Sequence, residues 1–279
     1  MLQKIAIISD IHGNIEALQA VLADAKARGV DKIICLGDII AKGSHSSQCI
    51  KLIRENCDVV IRGNCDRHFT AEYNMDEVPE KEKGRIIWNQ QQITEEEREY
   101  LHSLPFSHEF YLSGSLVRVF HATPYKDNVA IDTMNDYKTK YEMFLGTDKT
   151  VTDRTADIVV FGHIHHCFAE RFYNRTLLNA GSVGNTHDII RNDERDGNVM
   201  ETTQAVYLIM EGELGTEKYG APSSWQFIRL PYNMDKELEN SRENLEYDEF
   251  MYELKYGRYR NMKKVYANLE KAGVNTKLI

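Results

Sequence analysis

Side chains that can bind a metal ion follow five short apolar segments of this chain, at the point where each segment ends. They are Asp10 and His12, Asp38, Asn64, His121, and His163 and His165. Asp10 and His12 stand two residues apart, and alternate residues of an extended segment point the same way, so this pair can grip one cation. A single Asp or His after a strand is more often a turn residue or a hydrogen-bonding residue. Five such segment ends, most with an adjacent glycine, predict one shared metal site instead.

The mixture of carboxylates, imidazoles and one amide indicates which ions the site would take. These ligands suit two divalent ions per chain, with Mn²⁺ or Fe favoured and Zn²⁺, Ni²⁺ or Mg²⁺ as alternatives. Cysteine is missing from most of the ligand positions, which argues against a structural zinc site. Two ions fit the number of ligands better than one, and the two oxygens of Asp38 could bridge ions ~3.5–4 Å apart.

The segments before these residues are typical of buried strands that alternate with helices. Apolar runs predict strands at residues 5–8, 32–36, 58–61, 107–112, 115–120, 157–161, 168–172, 176–179, 205–210 and 225–229. The spacing of apolar residues predicts helices at 14–28, at 46–55 and around 137–145. The first strand-helix-strand order predicts parallel strands, whose carboxyl ends form the sheet edge where ligands bind. The short connections near the end of this series predict an antiparallel portion.

Charged segments outside these strands predict helical additions to one α/β domain. Residues 67–105 are rich in Glu, Lys, Gln and Arg, and Thr94 opens a helix-start signal, so we expect a helical insertion over or beside the site. Residues 233–279 predict a C-terminal helical extension packed on the outside of the domain, with a structural role. The domain itself is therefore expected to span residues 1–232.

The composition limits the class of protein and its partners. Of the 279 residues 42% are hydrophobic and 28% are charged, and no stretch approaches the ~20 apolar residues of a membrane span. An apolar strand begins close to Met1, so we expect no signal peptide. Five scattered cysteines indicate reduced thiols in a cytoplasmic protein. The net charge of −9 argues against a stable nucleic-acid partner. We expect no membrane partner, and a homodimer is one oligomeric state that the sequence leaves open.

The ordered motifs resemble those of one enzyme family. Asp10-x-His12, Gly37-Asp38, Gly63-Asn64-x-Asp66, His121 and Gly162-His163-x-His165 are similar in order and spacing to the motifs of the calcineurin-like metallophosphoesterases. The resemblance runs from about residue 4 to about residue 210, and it implies a four-layer α/β/β/α sandwich with a dinuclear site at the strand ends. One ion would be held by Asp10, His12, Asp38 and His165, and the other by Asp38, Asn64, His121 and His163. Residues 179–184 also resemble a family segment, with Ala180 in the place of its usual proline.

Cys65 departs from the pattern of many family members. In those members a histidine follows the motif asparagine and protonates the leaving group or steadies the phosphate, whereas a cysteine here resembles the bacterial phosphodiesterase branch. A thiol with an ordinary pKa of ~8.5 is a poor substitute for imidazole. His68 is then a candidate acid, Arg67 a candidate phosphate ligand, and Tyr125 a candidate stacking partner for a nucleobase. Their alternatives are that His68 merely begins the insertion, that Arg67 pairs with a local carboxylate, and that the tyrosine packs in the core.

The resemblance implies a metal-dependent hydrolase that acts on phosphodiester or phosphoanhydride bonds of small nucleotides. It extends to the streptococcal type of asymmetrical diadenosine tetraphosphate hydrolase and phosphodiesterase, which suggests that substrate. We expect in-line attack by water without a protein nucleophile. The expected catalytic residues are Asp38, Asn64 and His68, and the expected substrate-binding residues are Asn64, Arg67 and Tyr125. A protein serine/threonine phosphatase, another phosphomonoesterase or a non-catalytic scaffold are the alternatives, because a fold by itself does not decide among them.

Overall fold

The structure is a computed structural model, and it describes residues 1–187 and 204–257 of the chain. Ten strands and eight helices lie in this part. In chain order they are β1 (Gln3–Ile8), α1 (Ile15–Ala27), β2 (Lys32–Cys35), α2 (Ser46–Asn56), β3 (Val59–Val60), α3 (Asn64–Thr70), α4 (Glu80–Gln91), α5 (Glu95–Ser103), β4 (Ser107–Leu112), β5 (Ser115–Phe120), α6 (Tyr137–Glu142), β6 (Ile158–Phe161), β7 (Phe168–Phe172), β8 (Arg175–Asn179), β9 (Ala205–Gly212), β10 (Ser224–Leu230), α7 (Met234–Asn240) and α8 (Tyr247–Tyr256).

The first sheet has the strand order β10-β9-β1-β2-β3. Strands β1 and β2 are parallel, as the strand-helix-strand order predicts, and their register runs from Ile5 opposite Lys32 to Ile8 opposite Cys35. Strand β9 joins this sheet antiparallel to β1, with Gln3 opposite Gly212. The chain therefore returns to its first strand after about 200 residues, and β1 lies in the middle of the sheet.

The second sheet has the strand order β4-β5-β6-β8-β7. Its central strands β5, β6 and β8 are parallel, and the hairpins β4-β5 and β7-β8 add an antiparallel strand at each edge. The strands predicted at 107–112 and 115–120 form the first of these hairpins, and the predicted antiparallel portion is confirmed. The carboxyl ends of β5 and β6 consequently lie side by side.

The alternation of side chains along β1 shows how the two sheets and the helices form layers. Ile5 and Ile7 lie in an apolar cluster together with Val117 of β5, which belongs to the second sheet. Ala6 and Ile8 lie instead in the cluster that contains the apolar faces of α1 and α2. Successive residues of a strand point to opposite faces, so β1 is covered on both sides. On the outer side of the second sheet, α6 and its flanking loops complete the predicted α/β/β/α sandwich.

The predicted insertion is helical, as expected. It contains most of α3 and all of α4 and α5, and Thr94 caps α5 by accepting a hydrogen bond from the Glu97 backbone. The buried residues Phe69, Ile86 and Leu101 attach these helices to the cluster on the first sheet. The insertion therefore stands beside the carboxyl ends of β2 and β3.

The first part of the predicted C-terminal extension is helical too. Helices α7 and α8 pack together through Met234, Leu238, Phe250 and Leu254, while residues 258–279 of the predicted extension lie outside the described residues. The domain boundary at residues 232 and 233 stays a prediction. Among the described helices, none is long and apolar enough to cross a membrane.

Candidate metal centre

The turns that follow β1, β2, β3, β5 and β6 bring the seven predicted ligands to one edge of the sandwich. Hydrogen bonds between their backbones fix the turns against each other. The Asp10 and His12 nitrogens donate to the carbonyls of Gly37 and Asp38, each at 3.0 Å, and the Gly162 nitrogen donates to the His121 carbonyl at 2.8 Å. The two sheets are joined at this edge because the His163 nitrogen donates to Asp10 Oδ2 at 2.9 Å. The ligand-bearing turns of both sheets therefore form one connected unit.

Five of the seven predicted ligands have backbone conformations in the left-handed region, which is unfavourable for residues other than glycine. Their φ angles are 55° for Asp10, 51° for His12, 52° for Asp38, 69° for His163 and 61° for His165. Such conformations persist only where the surroundings impose them, and they are concentrated at functional sites. The strain thus marks this group of turns as the part of the fold where side-chain direction is most closely controlled.

Asp10, His12 and His165 form the first group of potential ligands, with one donor atom of each lying within 4.8 Å of the others. Asp10 Oδ1 lies 3.3 Å from His165 Nε2, and the two imidazole Nε2 atoms lie 3.0 Å apart. All three side chains are buried, and Asp10 Oδ1 accepts no hydrogen bond from the described residues. A buried carboxylate oxygen that faces imidazole nitrogens fits a metal ion, which would satisfy all of these atoms.

Asp38, His121 and His163 form the second group, also within 4.8 Å. Asp38 belongs to both groups, because its Oδ1 lies 3.5 Å from His121 Nε2 and its Oδ2 lies 3.7 Å from His12 Nε2. One terminal atom of the Asn64 amide also lies 3.0 Å from His121 Nε2. Each oxygen of Asp38 is therefore directed to a different group, which is the geometry that a bridging carboxylate needs.

Backbone carbonyls determine which nitrogen of three histidines faces the site. The Nδ1 atoms of His12, His121 and His165 lie 3.2, 2.9 and 2.7 Å from the carbonyl oxygens of Ile40, Leu36 and Asn185. A carbonyl oxygen can only accept, so Nδ1 carries a proton in each ring and Nε2 is the atom presented to the site. Hydrogen bonds of this kind orient metal-binding histidines in proteins.

The histidines of the site differ in pKa, so some are neutral at pH 7 and one is charged. Burial, reinforced by the charge of His165, lowers the pKa of His12 to about 3. Burial and the charge of His121 lower the pKa of His163 to about 4. For His121 burial is outweighed by the Asp38 carboxylate, which raises its pKa to about 10. His12 and His163 are thus neutral at pH 7, as metal binding requires, and the proton on His121 occupies a place suited to a cation.

Cys65 lies at the junction of the two groups. Its Sγ is within 4.8 Å of potential ligand atoms of His12 and Asp38, and its backbone nitrogen donates to Asp38 Oδ1 at 2.7 Å. Burial, followed by the negative charge of Asp38, raises the pKa of the thiol well above its usual value. The thiol is therefore neutral, in agreement with the expectation that it replaces an imidazole poorly.

The remaining predicted site residues lie around this centre rather than in it. His68 Nδ1 is 2.7 Å from the Tyr73 hydroxyl, and both rings line a cavity of about 380 Å³ beside α4. Arg67 forms a forked ion pair with Asp127, with Nε and Nη2 at 2.6 and 3.0 Å from the carboxylate oxygens. Partial burial and the negative charge of Glu142 raise the pKa of Tyr125, against an opposing hydrogen bond with Thr123. Their roles in catalysis and substrate binding stay predictions.

The sequence-based interpretation assigns no role to two sets of residues around the centre. Asp66 was visible as part of a motif, but its function in holding backbone was not: its carboxylate accepts from the nitrogens of Gly63, Asp38, Ile39 and Ile40. The second set is a buried polar network behind His165, and no local pattern in the sequence signals it. Its members are Lys42, Asn185, His187 and Glu253.

The profile of the calcineurin-like phosphoesterase superfamily domain matches residues 3–204. An uncharacterised protein of Methanocaldococcus jannaschii is 34% identical over 180 residues, which are 64% of this chain and 69% of that protein.

Two solved structures share the fold. A metallophosphoesterase from Sphaerobacter thermophilus has a TM-score of 0.62 and 23% identity, covering 86% of this chain and 93% of the other. A hypothetical protein from Pyrococcus horikoshii has a TM-score of 0.64 and 16% identity, covering 91% and 99%. At these identities the two structures are evidence for the fold alone.

Proposed function

The chain belongs to the calcineurin-like phosphoesterase superfamily, and we propose that it hydrolyses phosphoester bonds with the help of two divalent metal ions. Asp10, His12, Asp38 and His165 would hold one ion, and Asp38, Asn64, His121 and His163 the other. The observation that carries this proposal is the pair of His/Asp groups, buried except for the half-buried His163, that Asp38 connects. Mn²⁺ and Fe are the ions that we expect to support activity.

In the proposed mechanism the metal ions and the residues that hold them have different roles. Metal ions in such a site lower the pKa of water and neutralise charge on the attacked phosphoryl group. The chain itself fixes the ligands: Nδ1 of His12, His121 and His165 is tied to backbone carbonyls, and Asp38 Oδ1 is tied to the Cys65 nitrogen. Ligands that cannot rotate hold the charges in place before the substrate arrives, which is the main way that a preorganised site stabilises a transition state.

The substrate class that we propose is a small nucleotide with a phosphodiester or phosphoanhydride bond, and diadenosine tetraphosphate is the specific candidate. Cleavage of a phosphoanhydride releases a phosphate group as a stabilised oxyanion, so it demands less of an acid than the release of an alcohol from a phosphodiester does. The neutral Cys65 beside the centre is compatible with that low demand. Arg67 supports the same class, because it stands on α3 two residues after Cys65 and is partly exposed. Truncation of Arg67 to alanine should raise KM most for dinucleoside polyphosphates, which carry the most charge.

Metal removal and replacement test the proposal. Chelation should abolish hydrolysis of bis(p-nitrophenyl) phosphate, and Mn²⁺ should restore it as two ions bind per chain. As a matched pair of variants, Asp10→Asn should lose activity whereas Asp157→Asn should retain it, because Asp157 lies just before β6, at the opposite end of that strand from the ligands. Full hydrolysis by metal-stripped protein would refute the metal-dependent mechanism.

A substrate panel separates the remaining alternatives. Initial rates with p-nitrophenyl phosphate, bis(p-nitrophenyl) phosphate, a phosphoserine peptide and diadenosine tetraphosphate should favour the diester and the tetraphosphate. A preference for the monoester or the peptide would indicate a phosphomonoesterase or protein phosphatase. Protein that binds two Mn²⁺ ions and hydrolyses none of these compounds would be a scaffold.

A further inference from the structure

We propose that the cavity beside α4 binds the base of a nucleotide substrate and prefers guanine to adenine. Tyr73 is the residue on which the base stacks, and Glu72 is the residue that binds the edge of the base. This inference rests on the proposed function and adds to it a binding site for the base. It also gives the helical insertion a part in the choice of substrate.

The cavity lies one helical turn from a predicted metal ligand. Asn64 is the first residue of α3, and His68, which lines the cavity, follows four residues later. Residues four apart lie on the same face of a helix, about 6 Å apart along its axis. A nucleotide separates its base from its phosphate by one ribose. A phosphate bound at the metal centre can therefore place its base in this cavity.

A series of short contacts connects the centre with the wall of the cavity. A terminal atom of the Asn64 amide lies 3.3 Å from the carbonyl oxygen of Asp127. The carboxylate of Asp127 binds Arg67 Nε at 2.6 Å, and Arg67 directly precedes His68 in α3. Distances of hydrogen-bond length thus fix this wall relative to the ligands.

The walls of the cavity suit a flat aromatic ring. The rings of Tyr73 and His68 lie 5.6 Å apart at an angle of 69°, and the Tyr73 hydroxyl is 2.7 Å from His68 Nδ1, so the two rings form a fixed corner. The apolar lining is completed by Val78, Pro79 and Ile86. A base can stack on one ring of the corner and contact the other with its edge. The volume of about 380 Å³ also lies within the range of small-molecule sites, ~300–1,000 Å³.

The polar rim of the cavity carries negative charge and hydrogen-bond acceptors, in the carboxylates of Glu72, Glu77 and Glu82. Glu82 accepts from Arg85 at 3.0 Å, and Glu77 accepts from Asn74 at 2.9 Å. Glu72 is exposed and accepts no hydrogen bond from the described residues, so its carboxylate is available to a ligand. Because like charges repel, this rim favours a nucleotide with its phosphates at the metal centre and its base in the cavity.

A free carboxylate distinguishes between the two purines. Guanine presents two neighbouring donors, N1–H and the N2 amino group, on its Watson–Crick edge, and the two oxygens of one carboxylate can accept from both. Adenine presents one amino group beside the acceptor N1, which would face a carboxylate oxygen without a hydrogen bond. Glu72 therefore favours guanine. A diguanosine polyphosphate belongs to the same substrate class as diadenosine tetraphosphate and should be the better substrate of the two.

The competing interpretation is that the cavity is only a solvated gap between α3 and α4. The test measures, by calorimetry, the affinity of the Mn²⁺-loaded full chain for GMP, AMP and ribose 5-phosphate, which lacks a base. Tyr73→Leu removes the aromatic face, Tyr73→Phe keeps it, and Glu72→Gln changes the edge contact at an exposed position. Tyr219→Leu and Glu99→Gln are matched controls, because both residues are exposed and neither lines the cavity.

We expect the wild type to bind GMP about tenfold more tightly than AMP, as for a hydrogen bond to a charged group, and to bind ribose 5-phosphate most weakly. Tyr73→Leu should weaken GMP binding by about tenfold, the value of a stack between a base and an aromatic ring, and Tyr73→Phe should retain it. Glu72→Gln should abolish or reverse the preference, because a glutamine amide offers adenine both a donor and an acceptor. The controls should match the wild type.

Equal affinity of the wild type for GMP and ribose 5-phosphate, or wild-type GMP affinity in Tyr73→Leu, would overturn the base site. A wild type that prefers AMP, or an unchanged preference for GMP in Glu72→Gln, would overturn the assignment of Glu72. Failure of the proposed function is a separate result, because the contribution of the base to GMP binding is measured without hydrolysis. Hydrolysis of phosphate esters by a protein that binds GMP no better than ribose 5-phosphate would support the function and remove the base site.

Discussion

Replacement of Asp66 by alanine should damage both the stability of the fold and the metal centre. The Asp66 side chain is fully buried at the start of α3. Its carboxylate accepts from the nitrogens of Gly63 and Asp38 at 2.9 and 2.8 Å, and from those of Ile39 and Ile40 at 2.9 and 3.3 Å. These four N–H groups belong to the turns that carry Asn64 and Asp38. The alanine variant leaves all four without their acceptor.

The expected loss can be worked out from these contacts. A buried donor without a partner costs about 1–3 kcal/mol, so four independent donors would set an upper bound of about 12 kcal/mol. The true loss is smaller, because burial and the negative charge of Asp38 raise the pKa of Asp66 to about 6. The carboxylate therefore carries a cost of its own that the variant removes. We expect a loss of about 3–5 kcal/mol out of a total of about 5–15 kcal/mol for a typical protein.

Urea unfolding in the presence of a chelator measures this loss, and metal analysis after reconstitution with Mn²⁺ measures the effect on the site. The Asp66→Ala variant should bind fewer than two ions, since the Asp38 turn loses its support. Asp58→Ala is the matched control: Asp58 also accepts from a backbone nitrogen, that of Ile33 at 2.9 Å, at an exposed position, and its loss should cost no more than about 1 kcal/mol. Stability of Asp66→Ala within about 1 kcal/mol of the wild type, with two ions bound, would refute this reasoning.

Three other changes have definite expected outcomes. Asp38→Ala should remove both ions and nearly all turnover, whereas His163→Ala should mainly lose one ion. Two bound ions and a near-normal rate in Asp38→Ala would disprove the assignment of Asp38 as the ligand that bridges both ions. If His68 is the acid, His68→Ala should slow hydrolysis of nucleoside diesters more than that of p-nitrophenyl diesters, and equal losses would leave it no acid role. Glu237→Gln should change the pH dependence of stability, because burial raises the pKa of Glu237 to about 7 from 4.5. A raised carboxyl pKa contributes stability that is full below pH 4.5 and is lost as pH rises through about 7. Urea unfolding at pH 5 to 8 should therefore show the free energy of unfolding of the variant rising relative to that of the wild type, by up to about 3 kcal/mol. A constant difference between them across this range would contradict the assignment.

The sequence was sufficient to predict where the potential ligands meet. Short apolar runs identified β1, β2 and β6 with their ends correct to within a residue or two, and each run stopped at Asp or His. Parallel strands place their carboxyl ends at one edge whatever the details of packing. The helical insertion was predictable for the same reason, since charge density and the Thr94 capping signal are local properties. Predictions of this kind depend only on neighbours in the chain.

Features that depend on distant segments could not be predicted in this way. The pairing of β9 with β1 joins residues about 200 positions apart, and Lys42 and Glu253 are separated by 211 positions. No period or turn signal relates such segments, because their meeting is decided by how whole elements pack. The partners of Arg67 and His68 also lay beyond the reach of motifs, as Asp127 and Tyr73 occupy unremarkable loop positions. The motifs therefore predicted the metal ligands of the centre, but not the residues that surround them.

The need for metal follows from one electrostatic constraint. Three carboxylates are buried within one group of turns, namely those of Asp10, Asp38 and Asp66. Buried carboxylates are costly unless positive charge or hydrogen bonds compensate them. Among the histidines of the centre, His121 has a raised pKa beside Asp38, while burial lowers the pKa of two others. Neutral imidazoles and ionised carboxylates both present lone pairs to the site. A divalent cation can accept electron pairs from both kinds of group. A substrate phosphate then adds negative charge at the same edge of a protein with a net charge of −9. Divalent cations at this edge would offset that charge as well, so the ions that satisfy the ligands would also favour binding of the phosphate.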